Sequence, residues 1–139
     1  MSFSNYLELK LLDHVFGGVT TPYTPPATLY VGLSSTTPAE DGTGITEPSG
    51  GGYARVAVTN NATNWPAATV PGTKSNGTVI TFAPASATWL AGVNLTRGLV
   101  FDAVTGGNLL GERALALAQP VLSGNQVTFP IGTFVITLD

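Results

Sequence analysis

Few side chains in this sequence can donate or accept protons, hold a metal or attack a substrate. His14 is the single histidine, cysteine is absent, and Asp and Glu together number eight. With no thiolate and one imidazole, a zinc or redox centre is all but excluded by ligand supply alone. Asp13 follows one position before His14 and so cannot face it on a helix, and no serine partner is marked, leaving a Ser-His-Asp relay without support. We read His14 as a helix-surface residue near a helix C-terminus, where the dipole favours its cation. Glu40, Asp41 and Glu47 share one loop; oxygen-rich loops suit calcium, but the spacing matches no EF-hand, and we read these acids as solvating. Two carboxylates about 5–10 Å apart could flank a glycosidic bond, which linear spacing cannot establish. Gly42-Thr43-Gly44 and Gly50-Gly51-Gly52 lack the lysine and following helix of a phosphate cradle and read as turn glycines. Tyr23, Tyr30, Tyr53, Trp65 and Trp89 could stack on a sugar, provided that a tryptophan is exposed beside Asn or Asp; packing in core and interfaces is the stronger reading. The expectation is no catalytic residue, no metal and no cofactor.

Composition points away from several partners. Charged residues make up 9% of the 139, against about 25% in an average soluble domain, and mean hydropathy is positive, +0.27. Lys10, Arg55, Lys74, Arg97 and Arg113 are scattered and the net charge is −3, so no phosphate-tracking stripe exists and nucleic acid is not an expected partner. No run approaches the about 20 apolar residues that span a bilayer, and no secretory signal is expected. Without a secretory route, the glycosylation patterns at Asn61, Asn76 and Asn94 carry no weight. A surface so poor in charge is weakly protected against self-association, which favours coverage by other chains over a merely Thr-rich β surface.

The elements that must position these residues are mostly strands. Residues 1–18 hold the one helix, capped by Asn5 with Glu8 reaching back, or by Ser4 one residue earlier. Leu9, Leu12 and Phe16 form a stripe flanked by Leu7, Leu11 and Val15, and Gly17-Gly18 stop the helix. So short a helix must pack its apolar face on the sheet or on a neighbouring chain. Residues 19–27 are a proline-rich linker, and 28–139 are expected to form the rest of one β-sandwich domain. Its strands are read at Thr28–Leu33, Tyr53–Thr59, Thr78–Phe82 and Thr133–Leu138, with long irregular segments at Ser34–Gly52 and Asn60–Asn76. Trp89 reads as a packing plug. The centre of the fold is a hairpin in Leu95–Leu117, turning at Asp102–Asn108 where Gly106-Gly107 allow positive φ. A second hairpin is expected from Gln119–Leu122 and Gln126–Pro130 around Ser123-Gly124-Asn125. Seven or eight strands at this spacing argue for a mainly β, antiparallel β-sandwich, jelly-roll or immunoglobulin-like, with one short N-terminal α-helix.

Five blocks carry a resemblance: Asn5-Tyr6-Leu7-Glu8 with Lys10 to His14, Ala27 to Leu33, Ser49-Gly50-Gly51-Gly52-Tyr53-Ala54-Arg55, Phe101 to Leu110, and Val135 to Asp139. In that order they resemble small tailed-bacteriophage virion proteins, usually labelled tail-fibre or phage structural proteins. Asn60–Lys74, Leu90–Arg97 and Gly111–Ala118 follow the pattern loosely. The resemblance implies a non-enzymatic building block of the virion, in a tail, tail fibre, baseplate or neck, with capsid decoration as another placement. It implies other copies of the chain and other virion proteins as partners, with no nucleic acid or membrane. The helix and the two long loops would dock on neighbours, with Arg55 and Arg97 as ion-pair donors and Tyr53, Trp65 and Phe16 as further interface residues. A carbohydrate-binding module for host-surface glycans is the alternative of another class, and an unrecognised hydrolase the third.

Overall fold

The computed structural model describes residues 3–18 and 22–138. The linker residues Val19, Thr20 and Thr21 and the terminal Asp139 of the last resembling block lie outside them, as do Met1 and Ser2. The architecture is mainly β and antiparallel, with one α-helix and eight strands among the described residues.

Helix α1 spans Asn5–Val15. Of the two candidate caps, Ser4 does the work, its hydroxyl accepting the Leu7 N–H at 3.4 Å; Asn5 is the first helical residue. Ser4 is 1% exposed because the chain is also pinned there: its hydroxyl donates to the Leu109 carbonyl and its N–H to the Leu110 carbonyl. The helix therefore starts against the central hairpin and runs outward from it.

Strands β1 (Thr28–Ser34) and β2 (Val56–Thr59) are followed by the short β3 (Thr73–Ser75) and β4 (Ile80–Thr81). Then come β5 (Leu95–Phe101), β6 (Leu109–Gln119), β7 (Thr128–Phe129) and β8 (Val135–Thr137). Four strands make one antiparallel sheet in the order β2-β1-β5-β6, and the rest pair as two ribbons, β3 with β8 and β4 with β7. Alternation in TLYVGLS explains the two faces of the sheet. Leu29, Val31 and Leu33 point one way, level with Val58, Val100 and Gly98, and their cluster includes Ile80, Phe82, Phe129 and Phe134 from the ribbon side. Gly98 permits the closest approach of the two layers: a Cβ there would lie 2.7 Å from Cε2 of Phe134. On the opposite face Leu99, Phe101 and Leu109 pack with Tyr30 and with Ile45 of the loop after β1.

The central hairpin is where the sequence puts it. Its turn closes through the Asp102 carboxylate, which accepts the Asn108 backbone N–H and side-chain amide at 2.7 Å each, with Gly106 and Gly107 at φ 58° and 71°. Trp89 is 2% exposed and donates its indole N–H to the Gly51 carbonyl at 2.8 Å, as a plug between strand ends should.

Other expectations are corrected. The second hairpin does not form: Gln119 ends β6, and β7 pairs with β4. The segment around Gly124 finds partners in residues 85–89 instead, with Ala85 donating to Asn125, Gly124 to Ala85 and Trp89 to Val121. Strand β2 begins at Val56, not Tyr53, and the strand read at Thr78–Phe82 shrinks to two residues. Strand β3 lies inside a stretch read as irregular, because Thr-Lys-Ser has no alternation and is recruited by β8.

Candidate functional site

Three features stand out from the fold: a polar cluster on the loop side of the sheet, an apolar cavity beside the start of α1, and an uncovered apolar helix face.

The polar cluster is built on Glu47, in the loop between β1 and β2. That loop folds on itself. Ser34 Oγ donates to the Thr36 carbonyl at 2.8 Å and accepts the N–H groups of Thr36 and Thr46, both at 3.1 Å. Asp41 accepts the N–H and hydroxyl of Thr43 at 2.9 and 2.7 Å, and these bonds, the hydroxyl's first, hold its carboxyl below the usual range. The loop so formed delivers Glu47 to the sheet, where Gly32 leaves room: a Cβ there would stand 2.7 Å from Oε1 of Glu47. Glu47 accepts the Tyr53 hydroxyl at 2.7 Å and, from Arg55, Nε at 3.0 Å and an Nη at 2.5 Å. The other Arg55 Nη donates to the carbonyls of Ala103 and Gly106 at 2.9 and 2.8 Å, and the guanidinium stacks 3.3 Å above the Phe101 ring. Tyr53 Oη in turn accepts the Leu33 N–H at 2.9 Å. Burial first, then the Glu47 charge, pushes the Tyr53 phenol well above its usual pKa. A carboxylate saturated by an arginine fork and a phenol holds its neighbours in place; what it can do chemically is lock the loop and the hairpin turn to the sheet.

Arg55 and Tyr53, expected as interface residues, thus make these contacts within the chain, with the Arg55 side chain 8% exposed. Trp65 is also buried, at 5%, its indole N–H without a partner among the described residues. Neither tryptophan is exposed at the surface, the condition set for stacking on a sugar. Arg97 is partly exposed and reaches Glu112 at 3.5 Å and Thr37 at 3.0 Å. Phe16 alone of the five is open to solvent, at 71%. His14 and Asp13 are exposed on α1, and no three His, Asp or Glu side chains among the described residues gather closely enough to hold a metal. The Glu47 cluster escaped the sequence reading, although Tyr53 and Arg55, two positions apart, were a signal that both point to one side.

The apolar features lie around α1, whose first residue donates its N–H to the Glu40 carbonyl of the Glu47 loop at 2.9 Å. A cavity of about 340 Å³ opens between α1, the sheet and the β3–β8 ribbon, lined by Leu7, Leu29, Trp65, Val100, Leu110 and Ile136, with exposed Lys74 at its wall. Helix α1 faces inward through Tyr6 and Leu7, which pack on the core. Its other side stays bare: Leu9, Leu12, Val15 and Phe16 are 62%, 56%, 65% and 71% exposed. Glu8, Lys10, Asp13 and His14 are interspersed with them on the same helix, so the bare apolar groups share this surface with charge. Beyond Glu112, β6 is also open along its outer edge, with Ala114, Ala116, Ala118 and Gln119 exposed and Leu117 at 68%.

Fold and surface together define a small antiparallel β protein whose distinctive surface is apolar and charge-poor. The chain matches, over residues 2–137, the family described as podophage GP4 fiber I protein gp80, and it belongs to that family of tail-fibre-type phage proteins. Among curated proteins nothing matches. None of the described helices is long and apolar enough to cross a membrane.

Proposed function

We propose that this chain is a non-enzymatic structural subunit of a podophage virion, carried in a tail fibre and held there by contacts with other copies of itself and with other virion proteins. The observation that carries the reading is the bare apolar face of α1: four large side chains left in water on a helix already anchored to the sheet make sense when another chain covers them. Membership of a fibre family supports the location, and the interlocked Glu47 loop supplies the rigid body that such a part needs. With both tryptophans buried, glycan recognition has no platform in its favour. Reconstruction of the intact virion tests the proposal. Density for this chain in the tail fibres, with α1 against a neighbour, is the expected result; density on the capsid surface, or none, would overturn it.

A further inference from the structure

We infer that the cavity beside α1 is a socket for Phe16 of a second copy, so that copies join head to tail. The inference rests on the structural-subunit reading and names the contact within it. The cavity is apolar, of about 340 Å³, within the range of pockets that enclose a bound group. The chain's own Phe16 is not placed to fill it: Leu7, on the same helix, lines the cavity, and nine residues of helical rise put Phe16 about 14 Å further along the axis. Another copy's Phe16 meets no such limit, because it ends a helix with an apolar flank and is 71% exposed.

Charge complementarity specifies the partner further. Asp13 lies one helical turn before Phe16, on an adjoining side of α1, and Lys74 stands at the cavity wall. Both are exposed, and neither has an ion-pair partner among the described residues. A helix entering by its C-terminal end therefore brings an aromatic ring to an apolar socket, and an acid together with the negative end of the helix dipole to a lysine. Plug and socket are different patches of one chain, so the contact is heterologous and generates a ring if its rotation closes or a filament if it does not.

Complementary variants of the full chain, followed by sedimentation velocity, test the contact. Phe16→Ala removes the plug. Ala68→Trp, at an exposed residue lining the cavity, blocks the socket. Each is expected to weaken self-association about tenfold or more, the scale of a central interface residue, with the melting temperature unchanged. Mixed together, they should form a heterodimer, because Phe16 of the blocked variant still finds the open socket of the other. Asp13→Lys and Lys74→Asp should each weaken association, and the double swap should recover it. A wild-type chain that stays monomeric, a Phe16→Ala variant that associates normally, or a mixture that fails to pair would each overturn the socket. None of these results would touch the fibre placement, which virion density decides separately.

Discussion

At the scale of single residues, Glu47 does more than any other polar group to hold the loop side together. One carboxylate gathers a phenol and a guanidinium, and through them the Leu33 N–H, the turn carbonyls of Ala103 and Gly106, and the Phe101 ring. These contacts suit arginine at position 55, because lysine has neither the fork nor the flat face that stacks. Tyr53 gives the cluster a pH signature. Its pKa is raised in the fold, so the folded chain holds the phenolic proton more tightly than the unfolded one. Its contribution is complete below the ordinary tyrosine value of about 10 and is lost as pH rises beyond it. Tyr23 is shifted the same way, by burial first and then by Tyr6 and Asp102, and adds to the same alkaline slope. Tyr53→Phe should cost about 1–3 kcal/mol at neutral pH, through the hydrogen bonds it removes. It should also flatten, without abolishing, the decline in stability above pH about 10. Urea titrations of both proteins across pH 8–11 check both effects; parallel curves would detach Tyr53 from the alkaline slope.

At the scale of elements, the layers meet most tightly where β5 passes under Phe134. Gly98→Ala places a methyl group against a ring that is 0% exposed, and overpacking of that kind costs about 1–3 kcal/mol. The expected outcome is a lower denaturation midpoint with an unchanged slope; unchanged stability would mean that the ring has room to move. Strands β1 and β5 were legible because each is long, alternating and bounded by turn residues. The hairpin turn was legible too, from Asp102, Gly106, Gly107 and Asn108. The ribbons were not. Strands of two or three residues carry no period to detect, and their pairing is decided by the partner: Thr73–Ser75 becomes a strand because Val135–Thr137 lies beside it. The failed hairpin around Gly124 has the same origin, since a turn signal says where the chain reverses and not which strand it then joins. At the helix, periodicity revealed the Leu9, Leu12 and Phe16 stripe but not its direction, which was set by Ser4 anchoring the chain to β6. The site residues divide in the same way. Residue type marked Arg55 and Tyr53 as contact-makers, while only tertiary placement shows that the contacts described lie within the chain.

At the scale of the whole molecule, 9% charge and a polar cluster directed inward leave a surface with little to repel a second copy. The outer half of β6 follows from the same economy, and it bears on how the protein behaves in a test tube. Ala114 to Gln119 contains no proline or glycine and no charge. It lies on the edge strand of the four-stranded sheet, where an irregularity in its pairing with β5 is the chief guard against strand addition. Made without its neighbours, the chain should give poor soluble yield and deposits that bind amyloid dyes. A single gatekeeper, Ala116→Lys, should slow deposition severalfold at an unchanged melting temperature, as followed by light scattering at constant protein concentration; equal rates would clear this edge of blame. Under the subunit role proposed above, the same bareness would act as a timing device: a segment so thinly guarded is safe only when covered soon after synthesis, which would tie the survival of each copy to the prompt arrival of the next.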